Sequence, residues 1–205
     1  KNRKLHYFSG KHTFGFDPSC DLDRVAVVNQ TTLLRNETIA IIDYLESVFA
    51  AKHGADKAVN HVYGKSRGDT LCYATQVNQD SLERALLQEV DVAVVVGGRN
   101  SSNTYQLFRL CANAIGERAF YVQSEKNIVS LEAIEHYCYP TNASDPAGGR
   151  TEAKAFLPPH RPLTVLVTGG ASCPDGIIQK IIERINELIG QESLRSIEEV
   201  LAAIA

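Results

Sequence analysis

The segment that most constrains the fold is residues 92–103, VAVVVGGRNSSN. Its first five residues are apolar and mostly β-branched, and they stop at Gly97 and Gly98. A helical pattern, Thr104–Ile115, begins after three polar residues, Ser101, Ser102 and Asn103. A short apolar run that ends in glycines and leads into a helix predicts a buried strand of an α/β sheet.

The polar triplet Ser101–Asn103 has two interpretations. Ser and Asn are ordinary N-cap residues, so the triplet fits a capped helix after a strand. A helix N-terminus also attracts anions, because its free N–H groups and the positive end of its dipole point outward. Three polar side chains are more than one cap requires, and the two glycines allow close approach of the backbone to a ligand. The triplet therefore favours a phosphate-binding turn.

A second strand–glycine–hydroxyl–helix segment occurs near the C-terminus. The strand pattern 163–168 leads into TGGASCPD (Thr168–Asp175), and an amphipathic helix is predicted over Gly176–Ile189. Ser172 fits the N-cap of that helix and Pro174 its first turn. Two such turns in one sheet can converge on one polyanion. Neither segment has the GK[ST] of a Walker loop or the GxGxxG of a dinucleotide fold.

Strand and helix patterns alternate along the chain. Strands are predicted over 24–29, 92–96, 118–122 and 163–168, and helices over about 36–52, 78–89, 102–115, 124–137, 176–189 and 196–204. Residues 53–68 read as a polar connection, 71–75 as a short strand or loop, and 140–162 as a surface loop. Alternation of this kind predicts parallel βαβ units, in which ligands gather at the carboxyl ends of the strands.

Two further polar segments lie at or near predicted strand ends. Gln30, Thr31 and Thr32 follow the strand 24–29, and an ordinary strand end explains them equally well. Cys72 lies among hydroxyl and amide residues in 69–76. As a thiolate it could be a nucleophile or a soft metal ligand, and one cysteine does not choose between them. Cys111, on the helix after the first glycine turn, reads as a buried apolar residue.

Composition narrows the class of protein. The chain has 205 residues and a net charge of -3, so no basic surface indicates nucleic acid. Apolar runs fall short of the roughly 20 residues that span a bilayer, which makes a cytoplasmic location the default. Five scattered cysteines indicate neither a disulfide framework nor a paired zinc site. The chain contains no methionine, and we expect it to be part of a longer protein.

Four motifs in this order resemble one enzyme family. They are NQTT (29–32), CYATQ (72–76), GGRNSSNT (97–104) and VTGGASCPD (167–175). Together they resemble the 4-hydroxy-3-methylbut-2-enyl diphosphate reductases, the last enzymes of the methylerythritol phosphate route to isoprenoids. The segment 15–38 is similar to the longer branch of that family found in cyanobacteria and plants.

The resemblance implies a role for each matching residue. Cys72 matches the third of three cysteines that hold a 4Fe-4S cluster, whose fourth iron is open to the substrate hydroxyl. Ser101, Ser102, Asn103 and Ser172 match the residues that bind the diphosphate of the substrate. Thr31 matches a catalytic threonine close to the substrate hydroxyl, with Gln30 beside it. The implied reaction is reductive dehydroxylation to isopentenyl and dimethylallyl diphosphate, with an electron donor such as ferredoxin or flavodoxin.

The family has three α/β lobes with short parallel sheets, and the resemblance covers two of them in whole or part. Residues 1–67 are expected to be the C-terminal part of the second lobe and 68–205 the third. The other two cluster cysteines belong to an N-terminal lobe that nothing here matches, so this chain alone is expected to be inactive. Two alternatives stay open: a non-catalytic anion-binding α/β module, and an unrelated phosphotransferase-like site in which Cys72 is a covalent nucleophile.

Overall fold

The computed structural model describes residues 9–29, 33–63, 73–142, 144–145, 148–159 and 162–190. These residues belong to two compact units, which we describe separately. The first unit comprises residues 9–29 and 35–63. The second comprises the other described residues, which are 33–34 and those between 73 and 190. Helices and parallel strands occur in both, which confirms the predicted α/β class.

The first unit is a small core around one helix. Strand β1 (Val25–Ala26) pairs in parallel with β2 (Val62–Tyr63), and the helices are α1 (Arg35–His53) and α2 (Ala55–Ala58). The buried core residues are Ile42, Phe49, Ala58 and Val62. The strand predicted over 24–29 is thus shorter than expected. The connection predicted over 53–68 was wrong in part, because Val62 is buried and pairs with Val25.

The second unit is built on a parallel sheet of three strands, β3 (Val92–Val96), β4 (Ala119–Val122) and β7 (Val165–Gly169). Their order in the sheet is β4–β3–β7. Every residue of β3 is fully buried, as expected for a central parallel strand covered on both faces. The predicted strands at 92–96, 118–122 and 163–168 are confirmed within two residues at either end.

Helices cover both faces of this sheet. Helices α3 (Tyr73–Ala85) and α4 (Ser102–Ile115) lie on the face that carries Ala93 and Val95, and α5 (Asp175–Ile189) lies on the other. Cys111 of α4 is buried there, as predicted, and burial raises the pKa of its thiol to about 12. No helix of the described residues is both long enough and apolar enough to cross a membrane.

Two predictions between β4 and β7 were wrong. The helix predicted over 124–137 is a 3-10 turn (Glu125–Asn127) followed by β5 (Ala133–Tyr137). The loop predicted over 140–162 contains β6 (Thr151–Ala155), which pairs with β5 in antiparallel fashion. The sequence of β6, TEAKA, has no apolar alternation because the strand is largely exposed. This segment is a strand because it pairs with β5, and its own sequence pattern does not predict one.

The start of α3 was also predicted wrongly. A strand or loop was expected at 71–75 and a helix from 78 to about 89, but the helix runs from Tyr73 to Ala85. Its buried residues are Thr75, Gln79 and Leu82, spaced by four and three residues. Two of these three are polar, so the helical period was hidden from a search for apolar residues. The predicted helix 196–204 lies outside the described residues.

Candidate functional site

The carboxyl ends of β3 and β7 lie side by side and extend into glycines. Val96 pairs with Gly169, and beyond this pair the Gly170 N–H donates to the Val96 carbonyl at 3.1 Å. The Gly97 N–H donates in the same way to the Val122 carbonyl of β4 at 3.0 Å. The two glycine turns predicted from sequence therefore leave the sheet at one edge, next to each other.

The first turn closes with a hydrogen bond from the Ser101 N–H to the Gly98 carbonyl, 2.9 Å long. Ser101 is then the N-cap of α4, and its Oγ accepts from the Thr104 N–H at 3.2 Å. Ser102 is the first residue of the helix and is half-buried. The capping interpretation of the triplet is thus correct for Ser101, and it leaves Ser102 and Asn103 to be explained.

Asn103 joins the two turns. Its side chain is buried, and Oδ1 accepts the Ala171 N–H of the second turn at 2.8 Å. The Nδ2 atom of the same amide is buried and finds no hydrogen-bond acceptor among the described residues. A buried donor without a partner costs about 1–3 kcal/mol, so such a group is expected to have a purpose. Because Oδ1 is held by Ala171, the orientation of Nδ2 is set as well.

The second turn differs from the sequence prediction. It closes with a hydrogen bond of 2.7 Å from the Cys173 N–H to the Gly170 carbonyl, which puts Ser172 inside the turn. The N-cap of α5 is Pro174, in an extended conformation and without a side-chain cap bond. The prediction of Ser172 as N-cap and Pro174 as a first-turn residue was therefore wrong. Ser172 is exposed, so its hydroxyl is accessible for a hydrogen bond to a ligand.

Sequence reasoning missed Thr104, which packs between the two turns. It is 1% exposed, and a Cβ added to either Gly97 or Gly170 would overlap its side chain. Its Oγ1 donates to Ser101 Oγ at 2.8 Å. Tyr121 of β4 supports the same turn, because its hydroxyl donates to the Gly98 carbonyl at 2.7 Å. Sequence pattern offered no signal for this contact, because Gly97 and Gly170 come together at Thr104 only in the folded chain.

An open cleft of about 560 Å³ lies beside the second turn. One wall is the first turn of α3, including Tyr73 and Ala74, and the other runs from β7 through Gly170 to Cys173. Tyr73 and Ala74 of the CYATQ motif thus share one cleft with Gly170 and Ala171 of the second turn. Burial and the nearby Asp175 raise the pKa of the Cys173 thiol, so that thiol stays protonated at neutral pH.

Two predicted site residues, Cys72 and Thr31, are outside the described part of the chain, and so is Gln30 beside Thr31. Cys72 directly precedes α3 in sequence, and Gln30 and Thr31 directly follow Asn29. Asn29 itself is buried in the first unit, and its Nδ2 donates to Thr38 Oγ1 at 2.8 Å. The roles of Cys72, Gln30 and Thr31 stay predictions.

One group of potential metal ligands in the second unit is better explained as a hydrogen-bond network. Ligand atoms of His136, Cys138 and Glu152 lie within 4.8 Å of one another. However, Nδ1 of His136 accepts the Tyr121 N–H at 3.0 Å, so the neutral ring carries its proton on Nε2. A metal-binding imidazole has the reverse arrangement, with its second nitrogen donating. Burial lowers the pKa of His136 to about 4, which keeps the ring neutral.

A second group, in the first unit, is Asp23, His53 and His61. The two imidazoles are stacked, with ring centroids 4.1 Å apart and planes 11° apart. Nitrogen lone pairs lie in the ring plane, so those of the two stacked rings lie in separate, nearly parallel planes, which is unfavourable for binding one ion together. Neither group contains two cysteines.

Comparison with known proteins decides the family. The LytB protein family matches residues 3–186. The chain belongs to this family. The resemblance inferred from the four motifs is thereby confirmed, because curated members carry the name 4-hydroxy-3-methylbut-2-enyl diphosphate reductase.

Two relatives illustrate the extent of the match. The reductase of Crocosphaera subtropica is 36% identical over 187 residues, covering 91% of this chain and 44% of the relative. That of Gloeobacter violaceus is 36% identical over 186 residues, covering 91% and 42%. A solved structure of the reductase, described as the terminal enzyme of the non-mevalonate pathway, aligns with a TM-score of 0.41 at 22% identity, covering 89% of this chain and 53% of that one. The chain thus spans less than half the length of the two curated relatives, from Crocosphaera subtropica and Gloeobacter violaceus.

Proposed function

We propose that this chain forms the diphosphate-binding part of a 4-hydroxy-3-methylbut-2-enyl diphosphate reductase. In the intact protein it holds the substrate while the allylic hydroxyl is removed reductively. The observation that carries the proposal is Asn103, whose buried Nδ2 has no acceptor among the described residues while its Oδ1 is held by Ala171. We call the place where Asn103 links the two turns the joint. A diphosphate oxygen bound there would accept a hydrogen bond from Nδ2.

The remaining donors at the joint suit the same ligand. Ser101 and Ser102 begin α4, where the free N–H groups and the helix dipole favour negative charge. The exposed Ser172 hydroxyl adds a donor from the second turn. Hydrogen bonds to charged groups contribute about 1.5–3 kcal/mol each, so a few of them hold a diphosphate firmly. Anchoring the tail orients the reacting end of the substrate, and in this role the chain contributes positioning.

The reduction itself requires groups beyond the described residues. The family resemblance implies a 4Fe-4S cluster with Cys72 as one ligand, together with an electron donor of the ferredoxin or flavodoxin type. The described cysteines are Cys20, Cys111, Cys138 and Cys173, and none of these four lies in a segment that matches the family's other two cluster-cysteine motifs. We assign those ligands to a further part of the protein, and Thr31 to the hydroxyl end of the substrate. The lobe boundary near residue 67 and the cytoplasmic location are part of the same proposal.

The first test addresses the anion site. Calorimetry of the full-length protein with inorganic pyrophosphate should show binding, which the double variant Ser102→Ala, Asn103→Ala abolishes. Arg99 lies within the first turn, but its guanidinium is held by Gln123 at 2.9 Å. Arg99→Gln therefore serves as a control for loss of charge, and it should retain more binding than the double variant. Equal binding by the parent and the double variant would refute the site.

The second test addresses the enzyme. Full-length protein purified without oxygen should be brown and absorb in the visible range, and Cys72→Ser should remove most of that absorption. Reduction of the substrate by a colourless, iron-free preparation would contradict the reductase assignment. An iron-free protein that binds pyrophosphate and has no reductase activity would instead support the alternative, an anion-binding module. That alternative has one observation in its favour, because the donors at the joint lie entirely within the second unit.

A further inference from the structure

We propose that Arg99 is a specificity-determining residue, whose fixed positive charge favours a diphosphate over less charged anions at the joint. This inference rests on the proposed function of the two turns and adds to it a residue that acts on the ligand through space. Arg99 lies inside the first turn, between Gly98 and Ser101, which are joined by the hydrogen bond that closes the turn. Its charge therefore belongs to the segment that begins the candidate anion site.

The guanidinium of Arg99 is held by side chains from three other segments. Nε donates to Gln123 Oε1 at 2.9 Å, and a terminal nitrogen lies 3.5 Å from Thr151 Oγ1. The central carbon of the guanidinium is 5.1 Å from the centre of the Tyr137 ring, a distance at which a cation is attracted to the ring face. These contacts keep the charge in one place and leave the side chain turned toward the sheet.

The partners of Arg99 are all neutral. Among the described residues no carboxylate forms an ion pair with it, whereas Lys154 of the same unit is paired with Glu152 at 3.1 Å. The charge of Arg99 is therefore not compensated by a neighbouring anion. An uncompensated cation produces a positive potential around it, and an anionic ligand is stabilised in that potential.

The charge is anchored at the edge of the sheet that carries the two turns. Gln123, which holds the guanidinium, directly follows the last residue of β4. Gly97, which begins the first turn, donates to the carbonyl of Val122 at the same end of that strand. The anchor of the guanidinium and the glycine turns thus lie together at the carboxyl edge of the sheet.

Arg118 carries the same charge at the opposite edge. It directly precedes β4, and its guanidinium donates to the carbonyl of Asp91, next to the start of β3, at 3.0 Å. The four residues of β4 separate Arg118 from Gln123, which corresponds to about 16 Å of extended chain. The two arginines therefore differ in their distance from the turns and not in their charge.

Through-space attraction differs from a hydrogen bond in two measurable ways. Its energy is proportional to the charge of the ligand, so it favours pyrophosphate over the less charged inorganic phosphate. It is also screened by salt, over a length of about 30 Å at 0.01 M and about 8 Å at 0.15 M ionic strength. Short contacts to hydroxyl and amide groups are screened much less.

The test is calorimetry of the full-length protein with pyrophosphate and with inorganic phosphate. Arg99→Gln should weaken pyrophosphate binding about three- to tenfold at about 0.01 M ionic strength and by no more than about twofold at about 0.15 M. The loss for phosphate at the lower ionic strength should be smaller, about twofold. Arg99→Lys keeps the charge and should bind pyrophosphate within about twofold of the parent at that ionic strength.

Arg118→Gln is the matched control, because it removes the same charge from the far edge of the sheet. It should change pyrophosphate affinity less than Arg99→Gln does, and by no more than about twofold. Circular dichroism checks the fold, and Arg99→Met replaces the glutamine variant if that variant is misfolded.

Several results would overturn the inference and leave the anion site intact. These are equal losses with Arg99→Gln and Arg118→Gln, a loss with Arg99→Lys as large as with Arg99→Gln, the same fold-change for both anions, and a loss that does not change with salt. Undiminished binding by Arg99→Gln at low salt would overturn it as well. Absence of pyrophosphate binding by the parent would overturn the proposed function itself.

Discussion

The two glycine turns look alike in sequence and differ in structure by the length of their exit into a helix. Each closes with a hydrogen bond between residues three apart, from Ser101 to Gly98 and from Cys173 to Gly170. In the first turn the closing residue is itself the N-cap of the helix. In the second the cap is the next residue, Pro174. Ser172 lies two residues before that cap, so its hydroxyl caps no helix and stays exposed.

The two turns also differ in which residues hold them in place. The first turn is held by Ser101, by Thr104 and by Tyr121 from β4. The second is held across the joint by Asn103, which accepts from Ala171. We conclude that the first turn forms the frame and that the second takes its place relative to it. The following predictions test this conclusion, from the largest expected effect to the smallest.

Acidification should weaken the frame through His136. Nδ1 of His136 accepts from the backbone of Tyr121, which in turn holds Gly98. Burial lowers its pKa from 6.5 to about 4, so between these values the unfolded chain binds the proton preferentially. Stability from this group is complete above pH 6.5 and is lost as the pH falls toward 4. At pH 4 the loss is about 3 kcal/mol, since the two pKa values differ by about 2.5 and one pKa unit corresponds to about 1.4 kcal/mol.

Urea unfolding of the parent and of His136→Gln at a series of pH values measures this loss. Other groups titrate in both proteins, so only the difference between them is informative. The stability advantage of the parent should shrink as the pH is lowered from 7 to 4. A difference that does not change with pH would show that His136 is not held neutral by the fold.

Asn103→Asp separates the two functions of the Asn103 amide. The carboxylate retains an acceptor for the Ala171 N–H, so the joint should persist, but Nδ2 is replaced by an oxygen. Loss of a hydrogen bond to a charged ligand corresponds to about 10- to 100-fold weaker pyrophosphate binding, and charge repulsion adds to it. Calorimetry measures the affinity and circular dichroism confirms the fold. Undiminished affinity would exclude Asn103 as a ligand.

Gly97→Ala should destabilise the protein by about 1–3 kcal/mol, as overpacking does. The added Cβ would overlap the side chain of Thr104, which is buried in the joint. Gly98→Ala is a matched control one residue away, because a Cβ there meets nothing within 4 Å. Thermal unfolding should distinguish the two variants. Equal midpoints would mean that Thr104 does not fill the space beside Gly97.

Ser101→Ala and Ser172→Ala test the contrast between the turns directly. The first removes an N-cap and should cost about 1 kcal/mol of stability. The second removes an exposed hydroxyl that caps nothing, and its cost should stay within about 0.5 kcal/mol. Both should weaken pyrophosphate binding if both hydroxyls contact the ligand. Equal costs in urea unfolding would contradict the structural difference between the turns.

The main elements of the second unit could be predicted because their residues have an unambiguous period. The five residues of β3 form an unbroken apolar run, which is typical of a central buried strand. The apolar residues of α5 recur at helical spacing, which is typical of an amphipathic helix. Prediction failed where burial is polar or where pairing creates the element. The inner positions Thr75 and Gln79 of α3 are polar, and β6 depends on its partner strand.

The candidate site was predicted as a set of residue types and not as a geometry. Ser101, Ser102, Asn103 and Ser172 could be named because small polar side chains followed glycines at strand ends. The part played by Thr104 could not be read from sequence, because Gly97 and Gly170 lie 73 residues apart in the chain and meet only across the sheet.

By itself the sequence determined the α/β class, the two glycine turns and the family, because each depends on local period or on a short motif. Tertiary structure alone decided which hydroxyl caps a helix, which amide joins the turns and which threonine lies between them. Such choices depend on the pairing of β3 with β7, which brings Asn103 to Ala171 and Thr104 to both glycines. Hydrogen bonds and packing act over a few ångströms of space, and distance along the chain does not specify them.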